Sequence, residues 1–279
     1  MMSAPYPPMK PLVPCLAVAV CCLAAEAHGY CRTTTCSALP EGCEIDAHGC
    51  PVNGRPVAWP KPAIELLIDP RGSPRRGISA ETTRALTETA VRQWLSSDCG
   101  GLGPTIDVAA LTVAAPDVDA PSELVGYDGI NLITFQDDLW PHIDSNHAVG
   151  LTTVTYTVDT GRIVDTDIEI NSFAFRFTVD DTNIDFDLLG LLTHEVGHVF
   201  GLNDLPTPGP TMYGRYVGGG LAARSLEPDD QAGMCAVYPP DRFQSQGGCQ
   251  VSAPFGARAP GAAALLALLL LPLRRRKRT

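Results

Sequence analysis

Two histidines, a glutamate and an aspartate fall within the run His194-Glu195-Val196-Gly197-His198-Val199-Phe200-Gly201-Leu202-Asn203-Asp204. These residue types at this spacing are suited to hold a divalent metal and to use it. Leu188, Leu189, Leu191 and Leu192 precede the run with no proline, which predicts a helix from near Asp185 to about Phe200. Residues four apart stack on one helix face, so His194 and His198 aim at one point, where zinc is bound about 2.0–2.1 Å from each nitrogen. Glu195 lies about 100° further round the axis, near a water on that ion but off the ion itself. Gly201 is the predicted stop, because glycine takes the left-handed cap conformation without a Cβ clash. The reversal then carries Asp204 under the two imidazoles. Two His and one carboxylate leave the fourth tetrahedral position of Zn²⁺ open to water, the arrangement of a catalytic rather than a structural site. The expected roles are His194, His198 and Asp204 as zinc ligands and Glu195 as the general base that deprotonates the water. An HExxH run also arises on helices by accident; its coincidence with Gly201 and Asp204, in a chain of six His, argues for a metal site.

Short strands and two more helices are predicted to position this run. Ala63 to Asp69 reads as a buried strand, ended by Pro70 and a turn-rich stretch. Ser79 is an N-cap with Glu81 in the first turn, followed by Leu86, Ala90, Val91, Trp94 and Leu95 on one face, where Trp94 reads as core rather than as a ligand platform. Residues 106–113 and 131–135 read as strands, with Asp117, Asp119 and Glu123 in a proline-containing loop between them. Residues 151–157 and 163–171 alternate around Asp159-Thr160-Gly161-Arg162, the pattern of a β-hairpin. Asp180-Asp181-Thr182-Asn183-Ile184-Asp185 has the look of a calcium loop but lacks the glycine and closing Glu of an EF-hand, so it reads as a solvated acidic helix start. Calcium is only a secondary expectation. Glu227, Pro228, Asp229 and Asp230 open a last helix that contains Cys235.

The 279 residues, 45% apolar and 18% charged, suffice for one sizeable domain with a core. Residues 1–27 carry Lys10, an apolar run from Leu12 to Ala25 and an Ala25-Glu26-Ala27 cleavage site, which reads as a secretory signal peptide. Residues 28–60 form a Cys-rich cap, 61–240 the main domain, 241–260 a linker, and 261–279 an apolar and basic tail ending in Arg274-Arg275-Arg276-Lys277-Arg278-Thr279. Without Lys10, Arg258, the basic residues of 274–278 and Glu26, 13 basic and 30 acidic residues remain, net −17. So acidic a domain disfavours nucleic acid, whose phosphates need a basic face. Leaving out Cys15, Cys21 and Cys22 of the signal and Cys249 of the tail, six Cys remain: Cys31, Cys36, Cys43, Cys50, Cys99 and Cys235. In a secreted or surface protein an even number predicts disulfides, the first four pairing among themselves and Cys99 with Cys235.

With a methionine in the following turn, Thr211-Met212-Tyr213-Gly214, the HExxHxxGxxD run resembles the metzincin zinc endopeptidases, over roughly residues 60–240. Most metzincins have His where this chain has Asp204. The resemblance implies an α+β domain with a twisted mixed sheet, an active-site helix and a small C-terminal lobe after Gly201. It implies hydrolysis of internal bonds of a protein or peptide substrate by a secreted monomer, and places Met212 beneath the ligands. The hairpin would supply the edge strand that pairs with extended substrate. Tyr213 or Tyr216 would assist the oxyanion or only line the pocket. Glu169 stands near the place of a matrixin structural-metal His, with no His nearby, which argues against a second zinc. Cys50-Pro51-Val52-Asn53-Gly54 matches the matrixin cysteine latch poorly, and whether residues 28–60 are removed stays open. With Gly247-Gly248-Cys249 upstream, the tail resembles the sorting signals of myxobacterial surface proteins; a plain membrane anchor is the alternative. The other functional class is a surface binding or adhesion protein that keeps the fold without turnover, against which Glu195 speaks.

Overall fold

Alternation commits the strand Ala63–Ile68 to one buried face: the side chains of Ile64, Leu66 and Ile68 are buried while Glu65 is exposed. The computed structural model describes residues 29–114, 127–143, 147–215 and 218–243. The expected signal segment 1–27, most of the expected 241–260 linker, Cys249, the expected tail, the acids Asp117, Asp119 and Glu123, and Tyr216 lie outside them. The elements in order are β1 (Cys31–Arg32), β2 (Ala63–Ile68), α1 (Ala80–Leu95), β3 (Asp107–Val113), β4 (Leu132–Phe135), β5 (Gly150–Thr157), β6 (Arg162–Ile170), β7 (Phe177–Thr178), β8 (Phe186–Asp187), α2 (Leu188–Val199), β9 (Leu202–Asn203) and α3 (Pro228–Val237). This is a mixed α/β arrangement, compatible with the expected α+β class.

The main sheet has the order β3-β2-β4-β6-β5. Its first three pairings are parallel, and β5 returns antiparallel to β6, with Thr152 opposite Ile168 and Thr153 opposite Asp167. That last pairing is the predicted hairpin, and it puts β5 at the sheet edge. Helices α1 and α2 pack against each other, where the Trp94 indole N–H donates to the Thr193 carbonyl at 2.8 Å. Trp94 is fully buried, a core residue. Ser79 caps α1 by accepting from the Thr82 N–H.

Helix α2 starts later than the sequence suggests. Asp187 is its N-cap, accepting the Gly190 N–H, and the same carboxylate is gripped in a fork by Arg224, with Nε to Oδ2 at 2.8 Å and Nη2 to Oδ1 at 2.6 Å. Residues 180–185 are therefore a turn ahead of the helix rather than its first turn. Asn183 there has φ 49°, and Asp181 also pairs with Arg224.

Three disulfides form, Cys31–Cys50, Cys36–Cys43 and Cys99–Cys235. The first four Cys pair among themselves and Cys99 with Cys235 as expected, the partners within the first four being settled only by the structure, and the set fits an oxidising environment. The cap that the first two tie is built into the domain: Val57, Ala58 and Trp59 are buried, the Ala58 N–H donates to the Gly161 carbonyl, and the Ile163 N–H donates to the Ala58 carbonyl. No helix among the described residues is long and apolar enough to cross a membrane.

Candidate metal centre

Helix α2 is buried nearly all round, and His194 and His198, one turn apart, put their Nε2 atoms 3.2 Å from each other. The helix ends as expected: Gly201 has φ 88°, and a Cβ there would come within 2.4 Å of the Val57 carbonyl oxygen, so only glycine fits. The reversed chain forms β9, which pairs antiparallel with β1 of the cap. The next residue is Asp204. Its Oδ1 lies 3.3 Å from Nε2 of His194 and 3.3 Å from Nε2 of His198.

The three donor atoms thus form a nearly equilateral triangle. Two ligands held about 2.0–2.1 Å from a tetrahedral zinc are ~3.3–3.4 Å apart, so these edges match three corners of such a site. The tautomers agree as well. Nδ1 of His194 lies 2.7 Å from the Thr211 carbonyl and Nδ1 of His198 lies 3.0 Å from the Leu202 carbonyl. Each ring donates its Nδ1–H to backbone, which leaves Nε2 as the atom turned toward the carboxylate and free to ligate once its proton is displaced, the outer support typical of metal-ligating imidazoles.

The electrostatics also call for a cation. Burial opposes charging of His194, yet the Asp204 and Glu195 carboxylates more than reverse it and lift its pKa to about 9. Desolvation of Asp204 is likewise outweighed by hydrogen bonds from the two rings, which hold its carboxyl well below the usual range. A positive charge in the triangle is favoured, and a proton on His194 serves where no metal ion does.

The second wall of the site is the turn after β9. Backbone bonds from Leu205 N–H to the Met212 carbonyl and from Gly214 N–H to the Leu205 carbonyl lace the Asp204 segment to Thr211-Met212-Tyr213-Gly214. Met212 is buried under the helix between the two His: a Cβ on Gly197 would meet its Sδ at 2.2 Å. The buried Asp230 of α3 holds this turn, accepting the N–H groups of Thr211 and Met212 at 2.8 and 3.1 Å. It thereby fixes the carbonyl that orients His194.

Glu195 is 4% exposed, and its Oε2 accepts the Thr152 hydroxyl at 2.6 Å. Both Glu195 and the three candidate ligands line one open cleft of about 970 Å³. Its walls include Gly150, Thr152, Val154 and Tyr156 of β5, Thr33 and Ser37 of the cap, and Phe175, Phe186 and Leu191. Tyr213 is not among the lining residues.

Sequence reasoning missed Thr152, although alternation along β5 puts residues 150, 152, 154 and 156 on the cleft side once the hairpin is in place. It also missed a partner for Glu169. His142, 27 residues away, lies with Nε2 2.6 Å from Glu169 Oε2, and the Gln136 amide donates to Oε1. A His is therefore near Glu169 after all, brought there by the loop after β4. No third metal-binding side chain joins that pair: among the described residues only His194, His198 and Asp204 group as three candidate ligands. No protein-family model and no curated protein matches the chain, so the site is read from its own residues.

Proposed function

We propose that the chain is a secreted or surface-attached zinc endopeptidase of the metzincin type, with His194, His198 and Asp204 as ligands and Glu195 as the catalytic base. The observation that carries this reading is the triangle of Nε2, Nε2 and Oδ1 with edges of 3.2–3.3 Å, with both rings held from behind through Nδ1 by backbone carbonyls. The methionine turn beneath it and the hairpin edge beside it fit the same reading, as does the lobe formed after Gly201.

Zinc held there supplies Lewis acidity, lowering the pKa of a water and polarising the scissile carbonyl. The residues of the chain do the rest. Glu195 takes the proton from the attacking water and returns it to the departing amine nitrogen, so one carboxylate serves as base and then as acid. The Thr211 and Leu202 carbonyls keep the rings in the ligating tautomer. Edge strand β5, paired among the described residues with β6 on its other side, offers backbone groups to an extended peptide regardless of its sequence.

The test is metal analysis beside a generic protease assay on the parent and two variants. Glu195→Gln is expected to keep near-stoichiometric zinc while losing hydrolysis by at least about 10²-fold. Asp204→Ala is expected to lose zinc and activity together, because two imidazoles leave the site incomplete. Full turnover in Glu195→Gln would sink the catalytic reading, and zinc held as tightly in Asp204→Ala as in the parent would move the third ligand elsewhere.

A further inference from the structure

The base of the site does not stand free. Glu195 is the one residue of α2 whose carboxylate meets the cleft face of β5, and both of its oxygens are located by that strand. Thr152 Oγ1 lies 2.6 Å from Oε2 and 3.3 Å from the Glu195 backbone carbonyl. The hydroxyl has a single proton, and the shorter, charge-assisted contact to the carboxylate is the stronger acceptor. On the other side, Oε1 rests over Gly150. A Cβ there would come within 2.7 Å of Oε1 and 3.2 Å of Leu191 Cδ1, so a side chain at residue 150 pushes the carboxylate off this seat.

A glutamate side chain left to itself samples several rotamers, and fixing one costs up to about 1.5–2 kcal/mol of conformational entropy. Here the fold has fixed it before substrate arrives. Oε2 already accepts the Thr152 hydroxyl, which lowers its basicity and makes Oε1 the better acceptor for a new proton.

Resting on the assignment of Glu195 as base, we propose that Thr152 and Gly150 are positioning residues that seat it for proton transfer through Oε1. As the water oxygen bonds to the scissile carbon, its proton passes to Oε1. As the C–N bond breaks, that proton passes on to the leaving nitrogen, and the Thr152 hydrogen bond to Oε2 persists throughout. The substitutions act on the rate of the chemical step, because neither residue is a ligand of the metal.

The experiment compares Thr152→Val, which keeps the shape and removes the hydroxyl, with Thr152→Ser, which keeps the hydroxyl and removes the methyl. Turnover of one fluorogenic peptide, zinc per chain, melting temperature and affinity for acetohydroxamic acid are measured on the zinc-loaded protein. The acid binds a metal as its anion and needs a nearby carboxylate to take its proton, so it probes the seat without turnover. Thr152→Val is expected to lose roughly 10–100-fold in kcat, the usual effect of an outer-shell partner. KM, zinc content and melting temperature should stay close to the parent, hydroxamate affinity should fall, and Thr152→Ser should recover most of the rate. Gly150→Ala is expected to lose kcat with zinc retained. An unchanged kcat in Thr152→Val overturns the proposal, as does a loss that Thr152→Ser fails to recover, which would assign the effect to packing of the methyl. A parent that binds zinc but hydrolyses no peptide removes the protease reading instead. The seat is then judged by the hydroxamate, and equal affinity in parent and Thr152→Val overturns it.

Discussion

The indole N–H of Trp59 donates to the carbonyl of Val199 at 2.9 Å, joining the N-terminal cap to the last turn of the helix that carries both His. Thr33 makes a similar tie one step on, its N–H donating to the Gly201 carbonyl and its hydroxyl to the Leu202 carbonyl. The cap thus satisfies the Val199 and Gly201 carbonyls where α2 ends, and adds a second donor to the Leu202 carbonyl that holds His198. Left unpaired in a buried site, each such group would be costly.

The cap is therefore expected to stay with the folded protein. Trp59 is 2% exposed, and its truncation to alanine should destabilise the domain by about 3–5 kcal/mol. Deleting residues 29–60 should prevent folding altogether. Chemical denaturation of Trp59→Ala, with mass spectrometry of the mature protein, checks both. A stable, zinc-binding protein lacking residues 29–60 would show that the cap is a removable segment.

Much of this architecture is legible in the sequence, and the parts that are not share a cause. Strands β5 and β6 and helix α1 announce themselves by period, β2 by an apolar run closed by Pro70, and the four-residue spacing of the His pair on α2 is enough to fix a common face. The pairing of β1 with β9 has no such signal, because two-residue strands carry no periodicity and partners such as Arg32 and Leu202 are 170 residues apart. The start of α2 departs from the local pattern because Asp187 is chosen as cap by a tertiary partner, Arg224, that no nearby residue betrays. Thr152 and His142 belong to the same class. Each gains its meaning from one residue far along the chain, Glu195 and Glu169 respectively.

The Cys99–Cys235 bridge spans 136 residues and fastens the loop after α1 to α3. Removing it as Cys99→Ala with Cys235→Ala should destabilise the protein by about 4–5 kcal/mol at the entropic upper limit. The loss should appear in the denaturation midpoint, with zinc content at low temperature preserved. A variant as stable as the parent would show that the bridge adds nothing to packing already present.

Asp230 is tied to the candidate metal centre from α3, through Thr211. Its substitution by alanine leaves the Thr211 and Met212 N–H groups without their acceptor, which costs about 1–3 kcal/mol for each buried group. It also frees the Thr211 carbonyl that holds His194 Nδ1, so zinc affinity is expected to fall roughly 10–100-fold. Competition with a chelator of known affinity measures this. Asp230→Asn, which keeps an acceptor oxygen, should fall between the two; equal affinity in all three proteins would uncouple α3 from the site.

A last expectation concerns stability rather than catalysis. Asp165 of β6 is 1% exposed, and its carboxylate makes no well-formed hydrogen bond, only weak backbone contacts with Asp128 and Thr166 that burial outweighs. Burial, reinforced by the negative charge of Asp128, pushes its pKa up to about 6. An unfolded Asp titrates near about 3.9, so the folded protein holds this proton more tightly. The neutral carboxyl therefore stabilises the fold relative to the charged one. That advantage is complete below about pH 4 and is lost as pH rises through about 6. A difference of about two units corresponds to roughly 3 kcal/mol. Asp165→Asn removes the charge while keeping the shape, so its benefit should grow with pH. Scanning calorimetry is expected to show parent and variant melting together near pH 4 and the variant melting several degrees higher at pH 8, at ~2–4 °C per kcal/mol for a domain of this size. A variant that melts below the parent at pH 8 would mean that the charged form of Asp165 is itself held by a favourable partner.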